Sequence, residues 1–490
     1  MLEYLKNETN RTYTENGAVT HMTTYSDCLD LFATIGALRS RSEQEILNRF
    51  VRAFTEDPDL AMKTLFFARD VRGGLGERKV FRVCLQWLAQ NKPASAKKNI
   101  PYIAEYGRWD DLLSLIGTPC EKDALLVIKQ QLEADLNAMD MGDDVSLLAK
   151  WLPSVNASNT QTVLYAKRIA RYLGMSDAQY RKTLVKLRER IRIFENNLRV
   201  KDYSFDYSKQ PSKAMFMYRK AFYRNDGERY EAFLSKVSRG EAQLHTGTLT
   251  PYEIIKPFFY ESLSDQEANT IDATWRAQED FTGDENALVV IDGSGSMYCR
   301  TDPMPATVAL SLGIYFAERN TGPYHNMFMS FSGSSSIQVL RGETLAQKIN
   351  SINMNDWENN TNLQAAFKHI LDIAIRNHVS PEDMPKSLIV ISDMEIDYCG
   401  DRQWTFYEMM EKAFRRYGYQ IPNIVFRNVA SRHDVFHADK KRKGVQLVSG
   451  QSASVFRQVM QTVGMNPVEA MEKIINSERY EAITVERTAG

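Results

Sequence analysis

Cysteine is scarce and scattered. The 490 residues include five cysteines, Cys28, Cys84, Cys120, Cys299 and Cys399, with no Cys-x-x-Cys pair. An odd number at wide spacing argues against a disulfide framework and against a structural zinc site. The seven histidines show no ligand spacing either. No run approaches the roughly 18 apolar residues of a membrane span. The N-terminus, MLEYLKNETNRTYTENG, has no apolar signal core. With 61 Lys+Arg against 62 Asp+Glu the net charge is −1, so no whole-chain field draws in a polyanion. A reducing cytoplasm is the expected location, with no membrane partner.

What is present is enough for several cores. At roughly 100–200 residues per domain the length allows two to four units. The chain is expected to divide into an irregular arm (1–24), an all-α array with its linker (25–285), an α/β domain (286–465) and a C-terminal helix and tail (466–490). Charge is uneven along it. Between Trp151 and Gly240 there are 19 Lys/Arg and 8 Asp/Glu, a local net of +11, so the remainder sums to −12. Such asymmetry marks either a polyanion-binding surface or basic helices that pair with acidic neighbours.

From Tyr25 to about Gly240 the apolar period is helical. Ser26 and Ser42 precede acidic first turns, and Ile46, Phe50 and Phe54 share one face. Further helices are expected over Leu60–Val71, Lys79–Gln90, Lys122–Ala138, Thr160–Leu173, Asp177–Phe194 and Lys213–Tyr223. Short loops between them suggest a stacked, HEAT-like helix-pair array. In the Asp177–Phe194 helix, Leu184, Leu187, Ile191 and Phe194 face the core. Arg181, Arg188 and Arg192 form a stripe beside them, fit for phosphates or for a solvated helix face.

After Leu288 short β-rich runs alternate with helices. Strands are expected at Leu288–Ile291, Asn326–Phe331, Ile337–Leu340, Ser387–Ile391, Asn423–Phe426 and Val445–Val448. The helices between them are Ala306–Arg319, Leu363–Arg376, Thr405–Tyr417 and Ala453–Val463. This alternation predicts a mostly parallel, doubly wound sheet.

Ligands of such a sheet bind at the carboxyl ends of its strands. The first strand ends in Asp292-Gly293-Ser294-Gly295-Ser296, a tight loop carrying one carboxylate and two hydroxyls. The strand at Ser387–Ile391 ends in Ser392-Asp393, and Asn359-Asn360-Thr361-Asn362 opens a helix between them. Hard oxygen donors of this kind suit Mg²⁺, or Mn²⁺ or Ca²⁺, and leave a coordination position for a partner's acidic group or phosphate. Glu395 and Asp397 are expected to face solvent. No histidine lies near these loops in sequence and no nucleophile motif is present, so a binding role, not catalysis, is expected.

The Asp-x-Ser-x-Ser loop, with Thr361 and Asp393 in later loops, resembles the metal-ion-dependent adhesion site (MIDAS) of von Willebrand factor A domains. The resemblance implies that Asp292, Ser294, Ser296, Thr361 and Asp393 hold the metal. One departure is Asn359-Asn360 where that family often has two glycines. Other segments are Thr14–Ala18, Arg69-Asp70-Val71-Arg72-Gly73-Gly74-Leu75-Gly76-Glu77-Arg78, Tyr106-Gly107-Arg108-Trp109-Asp110-Asp111-Leu112, Lys150–Ser154 and Pro251–Ile254. Together they look like a family of uncharacterised bacterial, viral and plant proteins. Its layout is similar to the TROVE-domain Ro RNA-binding proteins, a ring of helical repeats closed by an A domain. Read physically, the glycine-rich segment is a helix end and turn, and Trp109 and Trp151 are core-facing.

The first expectation is therefore a monomeric, non-enzymatic, RNA-binding, Ro-like ribonucleoprotein component. From charge alone, Lys167, Arg168, Arg171, Arg181, Arg188 and Arg192 are its candidate RNA contacts. The alternatives are a scaffold that takes an acidic partner residue at the metal and a metal-dependent phosphoesterase.

Overall fold

The computed structural model describes residues 5, 8–191, 194–355, 357, 359–398 and 404–486. The predicted fold class holds: an all-α array precedes a six-stranded α/β domain. In that domain β3 (Ala287–Asp292), β4 (Met327–Phe331), β5 (Ser335–Val339), β6 (Ser387–Ser392), β7 (Asn423–Asn428) and β8 (Val445–Ser449) stand in the order β5-β4-β3-β6-β7-β8. All neighbours are parallel except the edge strand β5, which runs antiparallel to β4. Every residue of β3, β6 and β8 is buried. That explains the unbroken apolar runs of β3 and β6, since a sheet covered on both faces needs no polar alternation. The order reverses between β3 and β6, which places their ends at the switch point where such sheets bind ligands.

The helix Pro305–Arg319 is buried over Pro305–Ala317. It is sandwiched between the sheet and the helix Pro251–Ile255 at the end of the array. Trp275 donates its indole N–H to Glu318 at 2.7 Å on the same flank. The beginning of the array lands on the opposite edge. There Ser449 Oγ donates to the Phe32 carbonyl (3.2 Å) and accepts from Gly36 N–H (2.9 Å). Gly36 passes so close to Gly450 that a Cβ would lie 2.8 Å from the Gly450 Cα. Both ends of the array thus rest on the sheet domain.

Helix starts follow the local chemistry. Ser26 accepts from Leu29 N–H, and Ser42 with Glu45 forms a capping box. Ile46, Phe50, Phe54, Leu184, Leu187 and Phe194 are buried, and Ile191 packs part-buried against the core. Three expectations are corrected. The Lys213–Tyr223 helix is two helices, Ser212–Met217 and Arg219–Ser238, broken at Tyr218 (φ −96°, ψ 10°). The last sheet helix is only Val455–Met460. The N-terminal arm is not irregular: β1 (Arg11–Tyr13) and β2 (Val19–His21) form an antiparallel hairpin.

The termini cross over. The hairpin lies on the sheet domain, His21 exchanging backbone hydrogen bonds with Phe436. The C-terminal segment instead returns to the array, where Arg479 and Tyr480 both donate to buried Asp70. Thr484 and Val485 bond to Asn99 and Asp59. Cys28, Cys84, Cys120 and Cys299 are free thiols. Among the described residues no helix is long and apolar enough to cross a membrane.

Candidate metal centre

Parallel pairing of β3 with β6, Ile291 opposite Ile391, brings Asp292 and Asp393 to the same end of the sheet. Asp292 is fully buried. It accepts from Ser294 N–H (2.8 Å) and from Ser392 Oγ (2.6 Å). Burial, and then the charge of Asp393, push its carboxyl up to about 7. Ser294 Oγ and Ser296 Oγ stand 3.2 Å apart. Gly295 N–H donates to the Asn359 carbonyl, which holds the first loop against the loop of Thr361. Gly293 passes under Trp357, whose ring would be 3.0 Å from a Cβ there. Asp292, Ser294, Ser296, Thr361 and Asp393 thus sit on three loops laced together at one sheet end.

Two buried carboxylates at one place call for a positive partner. Arg432 Nη2 lies 3.0 Å from Asp393 Oδ2. That approach is not aligned as a hydrogen bond: Asp393 Oδ2 and Arg432 Nε are both buried without a hydrogen-bond partner. An orphaned carboxylate oxygen beside three hydroxyls and a second carboxylate fits a hard divalent cation such as Mg²⁺. The residues present are compatible with the metal that the loop pattern implies.

Several neighbours escaped the sequence reading. Glu395 is fully buried, not solvent-facing, and Asp397 is half-buried, its carboxyl raised by desolvation. His433, distant in sequence, is brought by the loop after β7 to 2.9 Å from Glu395 Oε1. The hairpin tip also reaches the site. Asn16 donates from its amide to Thr361 Oγ1 (3.1 Å) and to the Glu395 carbonyl (2.7 Å). Glu15 N–H donates to Glu395 Oε2 (2.6 Å), and the Glu15 carboxylate pairs with Arg432 Nη1 at 2.5 Å. The signal was present: Asn16-Gly17 between short alternating stretches is a hairpin turn pattern.

The basic candidates are dispersed. Lys167 lies 3.8 Å from Asp177, and Arg168 pairs with Glu121 at 2.6 Å. Arg188 spends its donors internally, on the carbonyls of Ala149 (2.8 Å) and Leu152 (2.9 Å) and the Ser154 hydroxyl (2.9 Å). Arg171 and Arg181 are exposed, and Arg192 lies outside the described residues. The glycine-rich and Trp-Asp-Asp segments act structurally. Asp111 is buried and accepts from Arg69 and Arg82, both at 2.7 Å. Trp109 packs part-buried against the core, and Trp151 lies under the Arg108 guanidinium at 3.9 Å.

Fold and site together define an α-helical array joined to a doubly wound domain with a switch-point oxygen cluster. The family model for a domain of unknown function, DUF7788, matches residues 286–488. A second domain of unknown function, DUF2828, matches residues 14–131 and 167–280. An uncharacterized protein of Acanthamoeba polyphaga mimivirus is 28% identical, over 95% of this chain and 87% of its own length. Among solved structures, the Ro (RSR) protein of Deinococcus radiodurans is similar with a TM-score of 0.47 at 14% identity. That match covers 92% of this chain and all of the other.

Proposed function

We propose that the protein binds RNA through its helical array and carries a divalent metal, Mg²⁺ by donor chemistry, at Asp292, Ser294, Ser296, Thr361 and Asp393. The observation that carries the RNA reading is a set of exposed cations on the helices Thr160–Tyr172 and Asp177–Ile191. There Arg171, Arg181, Lys182 and Lys186 are exposed and carry no ion pair among the described residues. These unspent charges lie in the segment of net +11 and can neutralise phosphates. The resemblance of segment order to Ro proteins points the same way. In this reading the protein is a monomeric, non-enzymatic binder and the metal stiffens the junction of the three loops.

The test is an electrophoretic mobility shift with a mixed RNA pool across a salt series, with and without EDTA. A shift that weakens steeply with salt and survives EDTA supports RNA on the array. No shift at low salt sinks the reading. A second reading, a metal-dependent phosphoesterase, gains one observation from the pairing of His433 with Glu395, two residues past Asp393. Release of phosphate from a generic aryl phosphate, lost in Asp292→Asn, would favour it.

A further inference from the structure

Among the described residues, the strongest group outside the five donors is Glu15, Glu395 and His433, whose donor atoms all lie within 4.8 Å of one another. Glu395 belongs to the segment after β6 and is already bonded to the Glu15 backbone and to His433. Glu15 is different. It stands exposed at the tip of the hairpin that docks on the sheet domain.

The loop Glu15-Asn16-Gly17 closes between Thr14 and Ala18, with Gly17 at φ +86°. It is a three-residue hairpin turn with glycine in the left-handed position that such turns require. Its docking is dense. Thr14 Oγ1 donates to the Ile396 carbonyl at 2.6 Å. Tyr398 N–H donates to the Asn16 carbonyl, and Gly17 bridges to Asp397. The Asn16 amide touches Thr361 Oγ1, one of the five donors. Glu15 is thereby brought to within one guanidinium of Asp393: Arg432 Nη1 holds Glu15 Oε2 and Arg432 Nη2 faces Asp393 Oδ2. The same guanidinium leaves its Nε unsatisfied. A cation is wanted between these carboxylates, and the fit of Arg432 is imperfect.

We propose that the partner of the metal's open position is this chain's own hairpin. Glu15 supplies a sixth protein donor directly, and Arg432 stands in for the cation when none is bound. This inference rests on the metal reading above. It makes the site closed in cis, so an outside acidic residue competes with Glu15.

The test uses the full-length protein and Mn²⁺ as probe, with affinity from calorimetry and bound water from proton relaxivity. Glu15→Gln should weaken Mn²⁺ by about 10–100-fold, the range for losing a carboxylate at the edge of a metal site. It should also raise relaxivity, because a water takes the vacated place. Arg432→Gln should tighten Mn²⁺, since a competing cation is gone. Unchanged affinity and relaxivity in Glu15→Gln, with binding still abolished by Asp393→Asn, would overturn the inference and leave the metal reading standing. Weaker binding in Arg432→Gln would show that arginine to be scaffold and overturn its stand-in role. No Mn²⁺ binding by the wild type would overturn both readings together.

Discussion

Asp292 shows how burial turns a common side chain into a site. A carboxylate with no exposure, facing a second one, is pushed up in pKa, so a proton and a cation compete for it. Metal binding to the folded chain should therefore raise its melting temperature by mass action. Scanning calorimetry with and without millimolar MgCl₂ or MnCl₂ checks this. The wild type should shift upward and Asp292→Asn should not. His437 makes the opposite argument about protons. It is buried between Phe426 and the Met394 carbonyl, which its Nε2 meets at 3.0 Å, and desolvation lowers its pKa from 6.5 to about 4. In the unfolded chain it protonates near 6.5, but in the folded chain only near 4. Its stabilising contribution is thus complete above 6.5 and is lost as pH falls toward 4, on the order of 3 kcal/mol. Urea unfolding at stepwise pH should show that loss, and His437→Gln should flatten it.

At the scale of elements, the segments that looked like motifs are joints between helices. Gly74 follows the helix Pro58–Arg69, and a Cβ there would sit 2.0 Å from the Phe67 carbonyl oxygen. Gly74→Ala should cost about 3 kcal/mol, at the upper end for overpacking, measured as a lower denaturation midpoint. Asp111 gathers Arg69 and Arg82, so Asp111→Ala should cost about 3–5 kcal/mol by leaving buried Arg69 unpaired. Much of this architecture was legible. The five inner and far-edge strands β3, β4, β6, β7 and β8 follow from apolar runs that burial leaves in the sequence, the edge strand β5 from its alternation, and the helix Leu363–Arg376 from its period. Of the five candidate metal donors, Asp292, Ser294, Ser296 and Asp393 stand out by their places after strands, and Thr361 by the loop that opens the helix Leu363–Arg376. Glu15, Asn16, Arg432 and His433 did not, since contact between a hairpin tip and a loop more than 400 residues away leaves no local period. The break at Tyr218 was hidden because an aromatic residue with near-helical φ is no helix breaker in sequence. The charge count over Trp151–Gly240 also overstated the available cations. It could not tell Arg188, bonded to three internal acceptors, from Arg181, which is bonded to none among the described residues.

Over the whole molecule the two termini hold the halves together. The hairpin ties the start of the array to the candidate metal loops, and Arg479, Tyr480 and Thr484 tie the sheet domain back to Asp70 and Asn99. The exposed cations Arg171, Arg181, Lys182 and Lys186 lie on helices of the array, and the five candidate metal donors lie on loops of the sheet domain. RNA binding and metal binding should then be separable. The most direct measurement is the affinity of a short single-stranded RNA by fluorescence anisotropy across a salt series, for the wild type and for the combined Arg181→Ala, Lys182→Ala and Lys186→Ala variant. If four to five phosphates are neutralised, the slope of log affinity against log salt should be about −3, and the variant should lose about two of it. A wild type that binds with the same slope as the variant, or does not bind at all at low salt, contradicts the account.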